Sequence, residues 1–193
     1  YSINASSKKG YIFEAAPEDI NRYEIAYDLD TKTVGKEIIY LNSIGSTNDY
    51  AKKAASEGAP DGTVVVADMQ TAGKGRLGRF WQSPAGKGIY LSVILRPDAS
   101  PAHMQIITVA AAAAAVTAIE KSTGLKTLIK WPNDIVIDGK KVCGILTEMN
   151  SELDRVNYIV LGIGFNYSQD KEDFPGELAD RATSLKICSE TRG

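Results

Sequence analysis

Thr63-Val64-Val65-Val66-Ala67 is a β-branched run with the signature of a buried strand, and Ile89-Tyr90-Leu91-Ser92-Val93-Ile94-Leu95 is a second. Between them lie Gly73-Lys74-Gly75-Arg76-Leu77-Gly78-Arg79, then Phe80-Trp81, then the turn cluster Gln82-Ser83-Pro84-Ala85-Gly86-Lys87-Gly88. The order is strand, loop, strand, and it decides the fold class. Gly73, Gly75 and Gly78 satisfy G-x-G-x-x-G, but a dinucleotide fingerprint must open a helix, and here a strand follows. No glycine-lysine pair precedes Ser or Thr at Walker A spacing. A kinase glycine-rich loop would place Val where Phe80 stands, and V-A-I-K, H-R-D and D-F-G are all missing from the sequence.

Three glycines and three cations within the seven residues from Gly73 to Arg79 suit an anion. Glycine lets backbone N–H groups approach a ligand closely, while Lys74, Arg76 and Arg79 supply charge-assisted donors. A solvated basic turn is the plainer alternative, but such a turn does not need glycines at fixed spacing. The glycine content also predicts a loop that is mobile without ligand and folds over a bound one, because glycine-rich backbone loses much entropy on ordering.

Working outward, Glu37 to Leu41 reads as a strand, Ser43-Ile44-Gly45-Ser46-Thr47-Asn48 as a polar turn, and Asp49 to Glu57 as a helix stopped by Gly58 and Pro60. A long alanine-rich helix starts at Pro101 and stops at Gly124; its alanine tract is too short and too weakly apolar for a membrane span. Thr127 to Trp131 is a strand closed by Pro132-Asn133-Asp134. Asp134 to Ile137 and Lys140 to Met149 form a hairpin on the Asp138-Gly139 turn, and Tyr158 to Ile163 is a further strand. Scattered helices among hairpin-connected strands predict an α+β fold with a mixed, mainly antiparallel sheet and flanking helices. Upstream, Tyr1 to Phe13 reads as a small hairpin and Asp19 to Leu29 as a short helix.

The composition is that of an ordinary globular chain, with 193 residues of which 44% are hydrophobic. With 22 basic and 24 acidic residues the net charge is −2, so no global field draws the chain to nucleic acid and any cationic site is local. Cys143 and Cys188 fit neither a metal spacing nor a disulfide framework, which predicts structural thiols and a reducing, cytoplasmic setting. His103, the single histidine, is expected at a helix end on the surface. The chain opens on Tyr1 rather than Met and shows no signal peptide, as expected of a processed or trimmed chain.

Three polar segments sit at strand ends or a helix start: Ser46-Thr47-Asn48, the glycine and cation loop, and Lys130-Trp131-Pro132-Asn133-Asp134. Singly, Ser46 or Thr47 reads as a helix cap, and Asn133 with Asp134 as turn residues. Jointly they resemble the catalytic domain of biotin protein ligases. That family's G-R-G-R-x-G-R-x-W is matched by Gly73 to Trp81, its S-T-N by Ser46 to Asn48, and its K-W-P-N-D by Lys130 to Asp134. The lysine-then-glycine strand corresponds to Lys141-Val142-Cys143-Gly144-Ile145-Leu146, and G-x-G-x-N to Gly162 to Asn166; the matches run from about Ile38 to Leu185.

The resemblance implies a biotinyl/lipoyl ligase fold, similar to class II aminoacyl-tRNA synthetases, that forms biotinyl-5′-adenylate from biotin and ATP and then acylates a lysine of a biotin carboxyl carrier domain. It implies that Ser46, Thr47, Asn48 and Gln70 hold biotin, with Lys74, Gly75, Arg76 and Lys141 around its carboxylate. Lys141, Arg76 and Arg79 become the catalytic cations. Trp81, Lys130, Asn133, Asp134 and Asn166 become nucleotide contacts, Asn133 and Asp134 also serving Mg²⁺. Strand alternation sends Lys140 and Lys141 to opposite faces, so only one enters the pocket, and the family match selects Lys141. Lys74 departs from the family, which usually has Arg there. Residues 1–16 resemble the wing of a winged helix, 17–35 a linker, and 36–193 the catalytic domain without the family's C-terminal SH3-like domain. DNA binding is therefore expected only of a longer parent, with no membrane partner and a homodimer left open. The alternatives are a lipoate or octanoate ligase of the same fold, whose Arg-Arg-x-x-Gly-Gly-Gly pattern and later histidine are missing here, and a non-catalytic biotin-sensing repressor.

Overall fold

The computed structural model describes residues 2–7, 10–15 and 20–191. Readings made for Tyr1, Lys8, Lys9, Asp19 and the His103 side chain lie outside the described residues. A two-stranded antiparallel hairpin comes first, β1 (Ser2–Ser6) with β2 (Gly10–Ala15), and each of those residues is exposed. α1 follows at Arg22–Ala26, shorter than the sequence suggested because its only strong start signal is the Asn21 cap. Then come β3 (Ile38–Ile44), α2 (Thr47–Ser56), β4 (Val64–Gln70), β5 (Gly88–Leu95), α3 (Met104–Thr123), β6 (Leu128–Lys130), β7 (Asp134–Ile137), β8 (Lys140–Ser151), β9 (Val156–Asn166), α4 (Leu178–Arg181) and α5 (Leu185–Glu190).

β3 to β9 form one seven-stranded sheet in the order β3-β4-β5-β9-β8-β7-β6. β3 and β4 are parallel, joined by the α2 crossover, and every other neighbouring pair is antiparallel, as the mixed α+β reading requires. Both faces are covered, which is why the valine run of β4 has no polar alternation. Val64 and Val66 join the core beneath Ala111, Ala112, Ala115 and Ile119 of α3 and Leu185 and Cys188 of α5. Val65 points the other way and packs with Ile94, Val160 and Ala51 and Ala55 of α2. Small alanines let α3 lie close to the sheet.

α3 stays within the bounds expected from Pro101 and Gly124, but with 20 residues it could, by length and composition and against the sequence reading, cross a membrane. Its inner face is nevertheless committed to the core of this sheet. The β7–β8 turn has left-handed backbone at Asp138 (φ 49°) and Gly139 (φ 80°), as the type I′ reading demands. Cys143 and Cys188 are free and buried, and burial pushes the Cys143 thiol well above its ordinary pKa.

Candidate active site

The N-terminus of α2 is the starting point. The helix begins at Thr47, two residues before the expected Asp49, because the extended backbone of Ser46 caps it; the Ser46 hydroxyl reaches Asp49 N at a long 3.5 Å. Ser46, Thr47, Asn48 and Gln70 are all buried, as are Ser83 and Ser92. Burying six polar side chains is costly unless each is satisfied, and their bonds interlock. Gln70 Oε1 accepts from Thr47 N at 2.8 Å, which fixes the amide so that Nε2 donates to Ser83 Oγ at 2.9 Å. Asn48 Nδ2 donates to Glu148 Oε2 at 2.8 Å, which turns its Oδ1 to accept from Ser92 Oγ at 2.6 Å. Thr47 Oγ1 donates to Gln70 Oε1 at 3.0 Å and lies 2.9 Å from Ser92 Oγ, whose one proton thus faces two acceptors, Thr47 Oγ1 and Asn48 Oδ1. The cluster carries surplus acceptor oxygen and suits a ligand bringing N–H groups.

At the other end of the same cavity the chemistry is cationic. Lys141 Nζ is 2.6 Å from Asp134 Oδ1 and 5.0 Å from the centroid of the Trp81 ring. β8 bulges here: Ile135 pairs with Cys143 but its neighbour Val136 pairs with Lys141, leaving Val142 as the extra residue. The bulge lets Lys141 and Gly144 line one pocket although their spacing in a regular strand would oppose them. Lys140 turns away to the Ala179 carbonyl at 3.0 Å, so one lysine of the pair enters, as alternation predicted. The Lys141 carbonyl is held by Thr183 N at 3.0 Å and by Asn166 Nδ2 at 3.4 Å.

Gly144 and Gly164 face each other across β8 and β9, and the Trp81 indole lies on them; an added Cβ would meet Trp81 Cζ3 at 2.8 Å or Nε1 at 2.6 Å. Trp81 Nε1 is buried without a hydrogen-bond partner among the described residues. With the indole in place the inner cavity is only about 40 Å³, lined by Ser46, Thr47, Asn48, Gln70, Lys74, Gly75, Arg76, Trp81, Asn133 and Lys141 among others. Beyond Trp81 a wider cavity of about 890 Å³ takes in Arg79, Lys130, Asn133, Asp134, Asn166 and Arg181.

The glycine loop makes main-chain bonds of its own. Gly75 N donates to Arg79 O at 2.7 Å, Trp81 N to Gly73 O at 2.9 Å, and a 3-10 turn spans Arg76–Gly78. Its exposed tip, Leu77, holds φ 58°, a left-handed conformation unusual for leucine. Arg76 Nη1 donates to Asn133 Oδ1 at 2.8 Å, and Lys74, which also lines the inner cavity, has its Nζ 2.6 Å from Asp49 Oδ2.

Of the residues singled out from sequence, the biotin set, Lys141, Trp81 and Asn133 converge on the inner cavity, while Arg79, Lys130, Asp134 and Asn166 border the wider one. The Asn166 amide braces the fold: Nδ2 donates to the Lys141 and Thr183 carbonyls and Oδ1 accepts from Gln169. No Mg²⁺ shell is preformed at Asn133 and Asp134, since Asn133 serves Arg76 and the Ile145 carbonyl and Asp134 faces Lys141. Among the described residues no cluster of three or more His, Cys, Asp or Glu could hold a metal. Ser92, Ser83, Asp49 and Glu148 were not anticipated. The signal for Ser92 was a serine inside an otherwise apolar run of a strand buried on both faces.

Residues 40–166 match the profile of the biotin/lipoate A/B protein ligase family. This chain belongs to that family. The bifunctional ligase/repressor BirA of Bacillus spizizenii is 48% identical to this family member over 189 residues, covering 98% of it and 58% of the relative. The biotin–[acetyl-CoA-carboxylase] ligase of Mycobacterium tuberculosis is 38% identical over 155 residues, 78% of this chain and 55% of that one. Among solved structures, the Aquifex aeolicus biotin protein ligase in complex with biotin and ATP aligns with TM-score 0.66 at 34% identity, over 80% of this chain and 62% of that one. The Leishmania major enzyme in complex with biotinyl-5-AMP gives 0.67 at 27% identity, over 81% and 66%. This member thus spans little more than half the length of the curated relatives it matches.

Proposed function

We propose that the chain is the catalytic part of an ATP-dependent biotin protein ligase. The observation that carries this is the pairing, in one cavity, of an acceptor-rich buried end at Thr47, Gln70 and Asn48, backed by Ser92, with a cationic end at Lys141 and Arg76. A ureido head supplies the N–H groups the first end lacks, and a carboxylate meets the charges at the second. In the first step a carboxylate oxygen of biotin bonds to the α-phosphorus of ATP while the bond from that phosphorus to the bridging oxygen breaks, releasing pyrophosphate. In the second a neutral lysine amine attacks the acyl carbon, AMP leaves, and the amine loses a proton.

Both steps shift negative charge along phosphate and carboxylate oxygens, so fixed cations and positioning carry the catalysis. In this reading Lys141 serves the carboxylate–phosphate junction, Arg76 the phosphate, and Arg79 and Lys130 the outer phosphates from the rim of the wide cavity. Trp81 has to leave the glycine floor for a ligand to fit, since small-molecule pockets usually measure about 300–1,000 Å³. Moved outward, its ring becomes a stacking surface for adenine, with Asn166 at the far wall. In this reading Mg²⁺ travels on the phosphates of ATP, with Asn133 holding Arg76 and Asp134 facing Lys141; no step is assigned to it.

The acceptor would be a lysine of a biotin carboxyl carrier domain, such as that of acetyl-CoA carboxylase, met in the cytoplasm. Operator binding would belong to a longer parent with a complete winged helix, and a homodimer is proposed with it. Calorimetry with biotin, lipoate and ATP on this chain tests the reading: tight biotin binding, strengthened by ATP, with no response to lipoate. Lipoate binding in preference to biotin would transfer the chain to the other branch of its family, and biotin binding without pyrophosphate release would leave only a sensor.

A further inference from the structure

Charges around the site form one chain from lid to pocket floor. Lys74, on the glycine loop, lies 2.6 Å from Asp49 Oδ2 on α2. Asp49 Oδ1 is 3.1 Å from Lys52 Nζ, one turn along, and Lys52 is 2.8 Å from Glu148 Oε1 on β8. The other oxygen of Glu148 takes the Asn48 amide at 2.8 Å, and Asn48 in turn accepts from Ser92 in the acceptor cluster. Positive and negative groups alternate without a gap. Partial burial works to raise the Asp49 carboxyl, but hydrogen bonds from Lys74 and Lys52 outweigh it and hold it below its ordinary range. Burial likewise works to lower Lys52, and Glu148 and Asp49 reverse that.

The loop is therefore pinned on two walls by cations two residues apart, Lys74 to α2 and Arg76 to Asn133 in the β6–β7 turn. We propose that Asp49 is a positioning residue that latches the glycine loop closed through Lys74 and, through Lys52 and Glu148, ties closure to the orientation of Asn48 in the pocket. The inference rests on reading the site as one for an acyl-adenylate. It assigns Lys74 to closure and leaves the ligand's anion to Arg76 and Lys141. It also gives a physical sense to lysine at this position: a single ammonium satisfies a single carboxylate without the fork geometry of arginine. A half-exposed pair is weak enough to break when the acceptor amine must reach the intermediate.

Hydrogen exchange of the amides from 73 to 79 in the ligand-free chain tests the latch. Asp49→Asn and Lys74→Met should each speed exchange about two- to fivefold, the worth of a half-exposed ion pair. The double variant should show no more than either single, since both remove one interaction, and Lys74→Arg should keep the wild-type rate. Raised salt should bring wild type toward the variants. In a second arm, dissociation of preformed biotinyl-adenylate should accelerate by a similar factor in Asp49→Asn, with KM raised more than kcat is lowered. Unchanged exchange in both singles, or additive effects in the double, overturns the latch. The exchange arm uses no ligand, so a chain that failed to bind biotin would sink the ligase reading and still leave this inference decided.

Discussion

Lys141 shows how much one residue can carry. Its side chain joins Asp134, the Trp81 ring and the inner cavity, while its carbonyl is held by Thr183 and Asn166. Removing a cation aimed at developing charge typically costs about a hundredfold or more. Lys141→Ala should therefore lower biotin-dependent pyrophosphate release by about that factor, and a near-normal rate would refute its role. The residue was legible in sequence, but its placement was not: alternation said that one of two lysines enters, whereas the bulge at Val142 that aims it shows only in the register of β7 and β8. Ser92 and Glu148 were illegible for a related reason. Each meets Asn48 from a strand, 44 and 100 residues away along the chain, and neither belongs to a motif. Lys74 was legible as a cation, yet its partner Asp49 read as an ordinary helix residue.

At the scale of elements, α2 does three jobs: it crosses over between β3 and β4, covers one sheet face with Ala51 and Ala55, and sets its N-terminus at the pocket. Sequence left Ser46 between helix cap and ligand contact, and a 3.5 Å cap bond is compatible with both. Ser46→Ala should cost only about 0.5 kcal/mol in denaturant unfolding, the low end for a lost cap, while weakening biotin binding clearly in calorimetry. A loss near 2 kcal/mol with unaltered affinity would make Ser46 a cap and nothing more. The strands of the central sheet were readable because β-branched runs between turn signals leave few alternatives. Boundaries were less so: Trp131 was assigned to a strand and lies in the turn after β6, since a strand of three residues gives periodicity little to work with.

Over the whole molecule, the chain after β9 folds back by charge. Asp170 lies 2.9 Å from Lys87 and 2.7 Å from Lys186, so it ties the start of β5 to α5. Hydrogen bonds from Lys186 and then Lys87 hold its carboxyl at about 2, below the ordinary 3.8. A carboxyl depressed in the folded state adds stability above its unfolded pKa and loses that contribution as pH falls through the folded value. Wild type should thus lose stability between about pH 4 and pH 2 more steeply than Asp170→Asn, and added salt should shrink the difference because the group is exposed. Parallel denaturation profiles would refute it. The indole resting on Gly144 and Gly164 has a different bearing, on redesign. Its floor is bare main chain from two neighbouring strands, so a methyl added to either would push against the ring, at Cζ3 from Gly144 or at Nε1 from Gly164. Directly beneath the ring, extra room has to come from the loop above, because Gly144 and Gly164 have no side chain left to trim.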